Sequence, residues 1–227
     1  MYFKVSKKEF YNALSVASRA ISTFSPLPAF SGIKIDAKED CLILTGSDSD
    51  VSIQTKLTKS EECVLEIRDM GSIVIEAKYI LEIVRKIDAD EIEFEMIDGS
   101  LTKISGNTAE FRINGMRANE YPAIDFSKPK ECFALKEETL KKVILQTSFA
   151  TSDKETRPVL TGVNFHCEGN TLHCVATDSY RLAKKTIDIS ESLNFNITIP
   201  AKSLSEVVKT LEGEGEVEIA VNDKKAQ

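Results

Sequence analysis

Shifted by 130 positions, this chain matches itself. Gly32 falls on Gly162, Leu42 on Leu172, and Ser47-Asp48 on Thr177-Asp178. Ser22 falls on Ser152, Leu57 on Ile187, and the apolar positions Phe10, Leu14 and Ala20 on Leu140, Ile144 and Ala150. The register holds without a gap from about residue 5 to residue 57, which is much harder to reach by chance than any single match. Farther on the offset drifts to 124: Ala77-Lys78 falls on Ala201-Lys202, Ile80 on Leu204 and Val84 on Val208. A self-match of this length means one structural module built twice, and it constrains the fold before any motif is considered. The join lies near Phe126-Ser127-Lys128-Pro129, a polar stretch with a proline. It gives one domain over 1–127 and a second over 128–227.

Both copies predict the same order of elements. A strand (Phe3 to Val5; Phe133 to Leu135) leads into a helix, marked in copy one by Phe10, Leu14, Ala17 and Ile21 at helical spacing. A long connection follows, with Pro26 and Pro28 in copy one. Then come a strand, a turn and a strand: Gly32 to Ile35, Ala37 to Asp40 and Cys41 to Thr45, repeated as Val163 to Cys167, Glu168-Gly169-Asn170 and Leu172 to Ala176. These turns carry the Gly, Asn and Asp that hairpins need. Another strand (Val51 to Leu57; Arg181 to Ile187) and an extended run (Ser72 to Ile75; Asn196 to Ile199) precede a second helix over 77–87 or 201–211. Copy one ends in strands over 92–97, 102–105 and 109–113. The expected fold is α+β, two similar domains, each with two helices packed on antiparallel sheet. Copy two stops 10 residues past Val217, the counterpart of Ile92, so it is expected to be C-terminally incomplete and to expose an unpaired sheet edge.

Composition excludes several classes. No run of 18 apolar residues exists to span a membrane, and the N-terminus MYFKVSKKEF has no apolar core of a secretory signal. Five cysteines (Cys41, Cys63, Cys132, Cys167, Cys174), an odd count in a chain of this size, predict free thiols in a reducing cytosol rather than a disulfide framework. The net charge of −7 argues against a surface that is basic all round, but allows one basic face on an acidic body. The four predicted helical spans 7–20, 76–88, 136–157 and 202–212 sum to +3, leaving −10 for the rest. Helices slightly positive and strands strongly negative could be ordinary solvated faces. Any nucleic-acid contact from them would be to phosphates, hence independent of sequence.

No catalytic set presents itself. The only histidines, His166 and His173, stand seven positions apart, and no Gly-x-Ser-x-Gly, Walker A or Gly-x-Gly-x-x-Gly motif is present. His166-Cys167 and His173-Cys174 look like a zinc box, but adjacent strand residues point to opposite faces. The pattern therefore predicts two thiols in the core and two exposed imidazoles. Gly46-Ser47-Asp48-Ser49-Asp50 could suggest a carboxylate pair for a metal, yet Asp50 is matched by Tyr180, so a hydrogen-bonded turn explains it better. Neither metal nor cofactor is expected.

At this point the residues carry a resemblance. The duplicated module, the run Thr177-Asp178-Ser179-Tyr180-Arg181-Leu182, the segment Asn119-Glu120-Tyr121-Pro122 and the stretch Ser148-Phe149-Ala150 through Arg157, Leu160 and Gly162 resemble the bacterial DNA polymerase III beta subunits, the sliding-clamp family. The likeness covers the whole chain. It implies duplicated DNA-clamp domains, three per subunit, and a head-to-tail ring of two subunits with helices inside and sheets outside. It implies a non-catalytic processivity factor in the cytoplasm that encircles duplex DNA. Its partners would be the polymerase catalytic subunit, the clamp loader and repair proteins, which use short linear motifs. Positions resembling DNA-facing basic residues are Lys78, Arg85, Lys154, Arg157 and Lys202; Phe24 stands where the family often has arginine. Positions resembling one wall of the partner-peptide pocket are Leu160, Thr177, Tyr180, Arg181 and Leu182, with Ser179 and Tyr180 in place of an expected glycine and histidine. On this reading the third domain is absent, and the 227-residue chain alone forms a monomer or a non-ring oligomer. Without the resemblance, a protein-binding β/α scaffold with no nucleic-acid role remains open.

Overall fold

The computed structural model of the protein describes residues 1–21, 27–222 and 224–227. The expectations placed on Ser22, Phe24 and Pro26 lie outside the described residues. The chain divides into two compact units, Met1–Ile124 and Asp125–Gln227.

Unit 1 opens with β1 (Tyr2–Ser6) and α1 (Lys7–Ser18), then β2 (Gly32–Ala37), β3 (Cys41–Ser47), β4 (Ser52–Thr58), β5 (Leu65–Asp69) and β6 (Gly71–Glu76). It continues with α2 (Ala77–Lys86), β7 (Glu91–Asp98), β8 (Leu101–Gly106), β9 (Ala109–Asn114) and the short β10 (Met116–Arg117). Two five-stranded antiparallel sheets result, ordered β5-β1-β7-β8-β9 and β10-β6-β2-β3-β4. Helical spacing puts Phe10, Ala13, Leu14 and Ala17 of α1, and Ala77, Ile80 and Val84 of α2, on buried faces. They meet the inward residues of both sheets, including Phe3, Ile33, Ile35, Leu42, Leu44, Ile73, Ile75 and Phe94, in one core. Phe3 stacks on Phe94 at 4.7 Å and takes Phe10 edge-on at 5.7 Å.

Unit 2 repeats this plan with β11 (Glu131–Lys136), α3 (Glu137–Thr147), β12 (Gly162–Thr177), β13 (Leu182–Pro200), α4 (Ala201–Thr210) and β14 (Glu216–Val221). The extended run β12 is not a single straight strand. His166 and His173 would stand about 23 Å apart in one, but their ring centroids are 6.5 Å apart. The run reverses at Gly169, whose φ is +62°, and the pairing register shifts there. Residues 171–177 then pair with 182–188, as 41–47 pair with 52–58 in unit 1, every residue displaced by 130. Gly162 to Asn164 pair with 198–200, as Gly32 to Lys34 pair with 74–76, the partner now displaced by 124. The difference of six is therefore lost between the counterparts of β4 and β6. Unit 1 has residues 59–70 there, including β5, whereas in β13 only residues 189–192 separate the stretch paired with 171–177 from the stretch paired with 162–169. The matched glycines 32 and 162 share a reason: a Cβ would lie 3.0 Å from the Ile75 carbonyl oxygen and 2.6 Å from that of Ile199.

Several expectations need correction. The first helix of copy two stops at Thr147, so Lys154 and Arg157 lie on the connection after it and not on a helix. Counted over the four α-helices as formed, the charges are +1, +2, 0 and +1, leaving −11 elsewhere, so the segregation persists. The imidazoles expected to be exposed are half-buried: His166 bonds Glu168 and His173 bonds Thr186, each at 3.0 Å. The edge of β14 expected to be open is partly closed. Gln227 exchanges two backbone hydrogen bonds of 2.7 Å with Ala220, beside a bridge from Ala226 to Val221.

Candidate nucleic-acid interface and partner site

The five basic positions fall into two groups, one in each unit. Lys78 and Arg85 are seven residues apart on α2, which brings them to nearly the same side of the helix. Both are exposed. The Lys78 ammonium lies 5.9 Å from the Tyr79 ring centre, and the Arg85 guanidinium pairs with Glu82 at 2.7 Å. Lys86 also reaches Glu82, and its hydrogen bond, followed by that of Arg85, holds the Glu82 carboxyl below its ordinary range. In unit 2, Lys202 sits in the first turn of α4, 4.0 Å from Glu155. That contact sets the exposed loop carrying Lys154 and Arg157 beside the start of α4. Exposed pairs of this kind are worth little in water, so the cations remain available to a phosphate.

Four of the five positions assigned to the partner site, Thr177, Tyr180, Arg181 and Leu182, lie on or beside one turn. The Asp178 carboxylate accepts backbone hydrogen bonds from Tyr180 and Arg181, each at 3.0 Å, and the Thr177 hydroxyl donates to the Arg181 carbonyl at 2.7 Å. These two N–H groups, Tyr180 first, hold the Asp178 carboxyl below the usual range. Ser179 sits at φ +78°, the left-handed region that favours glycine. The same turn is built at 47–51. There Asp48 accepts from Asp50 and Val51 at 3.0 and 2.8 Å, and Ser49 has φ +86°. The metal reading of this segment gives way to a turn in both copies. Among the described residues no three His, Cys, Asp or Glu side chains converge to hold a metal ion.

Only the second turn carries large side chains. Tyr180 is 98 % exposed and Leu182 65 %. The Arg181 guanidinium donates to Asp178 at 3.0 Å and lies 5.7 Å from the ring centre of exposed Phe149. Leu160 lies on a tight 3-10 turn, Pro158–Thr161, where its N–H donates to the Arg157 carbonyl. Phe149 was not among the expected site residues. The signal that could have found it is its place one residue before buried Ala150, where an exposed large ring is unusual.

Two family profiles match the chain. That of the DNA polymerase III beta subunit N-terminal domain covers residues 1–125, and that of its central domain covers residues 134–227. The chain belongs to the DNA polymerase III beta subunit family. Its similarity to the beta sliding clamp of Halalkalibacterium halodurans is 40 % identity over 98 % of this chain and 60 % of the relative. To the beta sliding clamp of Bacillus subtilis it is 39 %, with the same coverage. The crystal structure of the DNA polymerase sliding clamp from Bacillus subtilis superposes with a TM-score of 0.95 at 36 % identity, over 98 % of this chain and 60 % of that one. The chain thus spans about 60 % of the length of these relatives. The duplicated α+β fold expected for the sliding-clamp family is the fold observed. Among the described residues, no helix is long and apolar enough to cross a membrane.

Proposed function

We propose that these residues act as the first two domains, 1–127 and 128–227, of a sliding clamp, a non-catalytic processivity factor for DNA polymerase III. Within a full-length clamp they encircle duplex DNA as part of a ring homodimer in the cytoplasm and help tether the polymerase catalytic subunit, the clamp loader and repair proteins. Lys78, Arg85, Lys154, Arg157 and Lys202 face DNA phosphates. Leu160, Thr177, Tyr180, Arg181 and Leu182 form one wall of the pocket for partner motifs. The observation that carries the reading is the match of both units to consecutive domains of one clamp family. Net positive helices on an acidic chain support it, since contact with DNA through phosphates alone leaves a clamp free to slide.

The test is the salt dependence of DNA binding by a full-length clamp containing these domains, with and without the five basic residues changed to glutamine. Each lost phosphate contact should flatten the log–log slope by about 0.9. A slope unchanged in the quintuple variant would leave these residues as solvated surface and overturn the assignment.

A further inference from the structure

Neighbours along a strand face opposite ways, so His166 and Cys167 do not hold one ion, nor do His173 and Cys174. Folding brings together a different pair. The chain reverses at Gly169, and at the offset of 130 the pairing of Asp36 with Ile43 puts His166 opposite His173. Cys167 and Cys174 are fully buried on the core side, which leaves both imidazoles on the outer face of unit 2. The ring centres lie 6.5 Å apart, with planes 21° from parallel.

Each ring has one nitrogen engaged and one spare. The Glu168 carboxylate accepts, so its 3.0 Å bond puts a proton on His166 Nε2. Nδ1 of the neutral ring then carries a lone pair, and that atom is buried with no hydrogen-bond partner. His173 Nδ1 meets the Thr186 hydroxyl at 3.0 Å; with the hydroxyl accepting, Nε2 carries the lone pair. An imidazole whose far N–H is held by an oxygen acceptor is the form in which histidine binds a metal. A buried nitrogen without a partner calls for an explanation, and an ion in contact with it supplies one.

We infer that His166 and His173 hold a divalent transition-metal ion of the zinc class across the 162–177 hairpin, with Glu168 and Thr186 as positioning residues. Two imidazoles that share an ion through bonds of about 2.0–2.1 Å keep their ring centres about 5–6 Å apart. The observed spacing is slightly wider and the rings are nearly parallel, so binding turns one side chain and draws the pair together. Among the described residues no third His, Cys, Asp or Glu side chain converges on them, so water completes the coordination. Imidazole ligands suit zinc, copper or nickel, whereas magnesium and calcium take oxygen. Unit 1 has Asp36 and Ile43 at these positions, with Asp36 engaged by Lys34 and Ser72, so the site belongs to unit 2 alone. The inference is independent of the clamp reading.

The probe is Zn2+ alone, titrated into the chelator-treated 227-residue chain, whose only histidines are these two, with the imidazole signals followed by NMR. Both rings should shift together and saturate at one ion per chain, and Mg2+ should shift neither. His166→Asn and His173→Asn should each abolish tight binding. Glu168→Gln, which keeps both imidazoles, should weaken it about tenfold. Cys132→Ser, at the half-buried thiol that zinc could choose instead, should change nothing. Zinc that shifts neither ring, that binds the His166→Asn chain as tightly, or that is lost with Cys132→Ser would overturn the inference. The amide spectrum reports whether each variant folds. If the histidine variants do not, a folded Glu168→Gln chain with unchanged zinc affinity would overturn it equally.

Discussion

The turns at 47–51 and 177–181 are one backbone device with two different side-chain loads. In both, an aspartate caps two N–H groups and a serine takes a left-handed φ. In unit 1 the residues after the aspartate are Ser49, Asp50 and Val51, and the neighbouring surface is sealed by Tyr121. In unit 2 they are Ser179, Tyr180 and Arg181, and Tyr180 is exposed. Duplication preserved what backbone hydrogen bonding requires. The two copies differ in the side chains that the turn carries: Asp50 and Val51 in one, Tyr180 and Arg181 in the other.

The largest expected effect that could break this comparison is at the cover itself. Tyr121→Ala should destabilise unit 1 by about 3 kcal/mol in urea unfolding, because it deletes a buried ring. Leu160→Ala, at the half-exposed counterpart of Phe30, should cost below about 1 kcal/mol. Equal costs would mean that Tyr121 does not seal the surface around Phe30.

Tyr121 also predicts a pH dependence confined to unit 1. Burial pushes its hydroxyl up to about 12. A phenol raised above its unfolded value of about 10 contributes stability that is complete below pH 10 and is lost as pH rises through the folded value. Tyr121→Phe should remove that alkaline loss, followed by hydrogen exchange of β3 and β6. A loss persisting in the phenylalanine variant would place its origin elsewhere.

Asp178 gives the opposite sign. Its carboxyl is held low by the Tyr180 and Arg181 N–H groups, so its contribution is present above about pH 4 and is lost as pH falls through the folded value. Asp178→Asn should be less stable than the parent at pH 7, by less than the Tyr121 truncation, and the gap should close in acid melts. A gap independent of pH would deny the carboxylate its role in the turn.

The smallest effects are at the left-handed serines. Ser49→Gly and Ser179→Gly should each stabilise by about 0.5–1 kcal/mol, since glycine adopts these φ values without strain. The expected family glycine at position 179 has this physical reason. If only one of the two substitutions stabilises, the turns are less alike than their hydrogen bonds indicate.

Much of the fold was legible because the repeat is local and register-preserving. The strands around Gly32, Leu42 and their counterparts, and all four helices, follow from apolar spacing within short windows. β5 (Leu65–Asp69) escaped because Glu66, Arg68 and Asp69 dilute its apolar signal, and its pairing with β1 spans some sixty residues of sequence. The end of α3 was overrun because Ala150 keeps the apolar period after the helix has tightened into a 3-10 turn. The turn at 177–182 could be read from Asp178 alone. The sealing of Phe30 could not, because it depends on Tyr121 reaching it from 91 positions away.

The central claim is topological linkage to DNA, and retention on a closed circle tests it most directly. A full-length clamp containing these two domains, loaded onto nicked circular duplex by its clamp loader, should remain bound through gel filtration at high salt. It should be lost when the circle is cut once with a restriction enzyme. Equal retention on circular and linear DNA, or none on either after loading, would contradict the account.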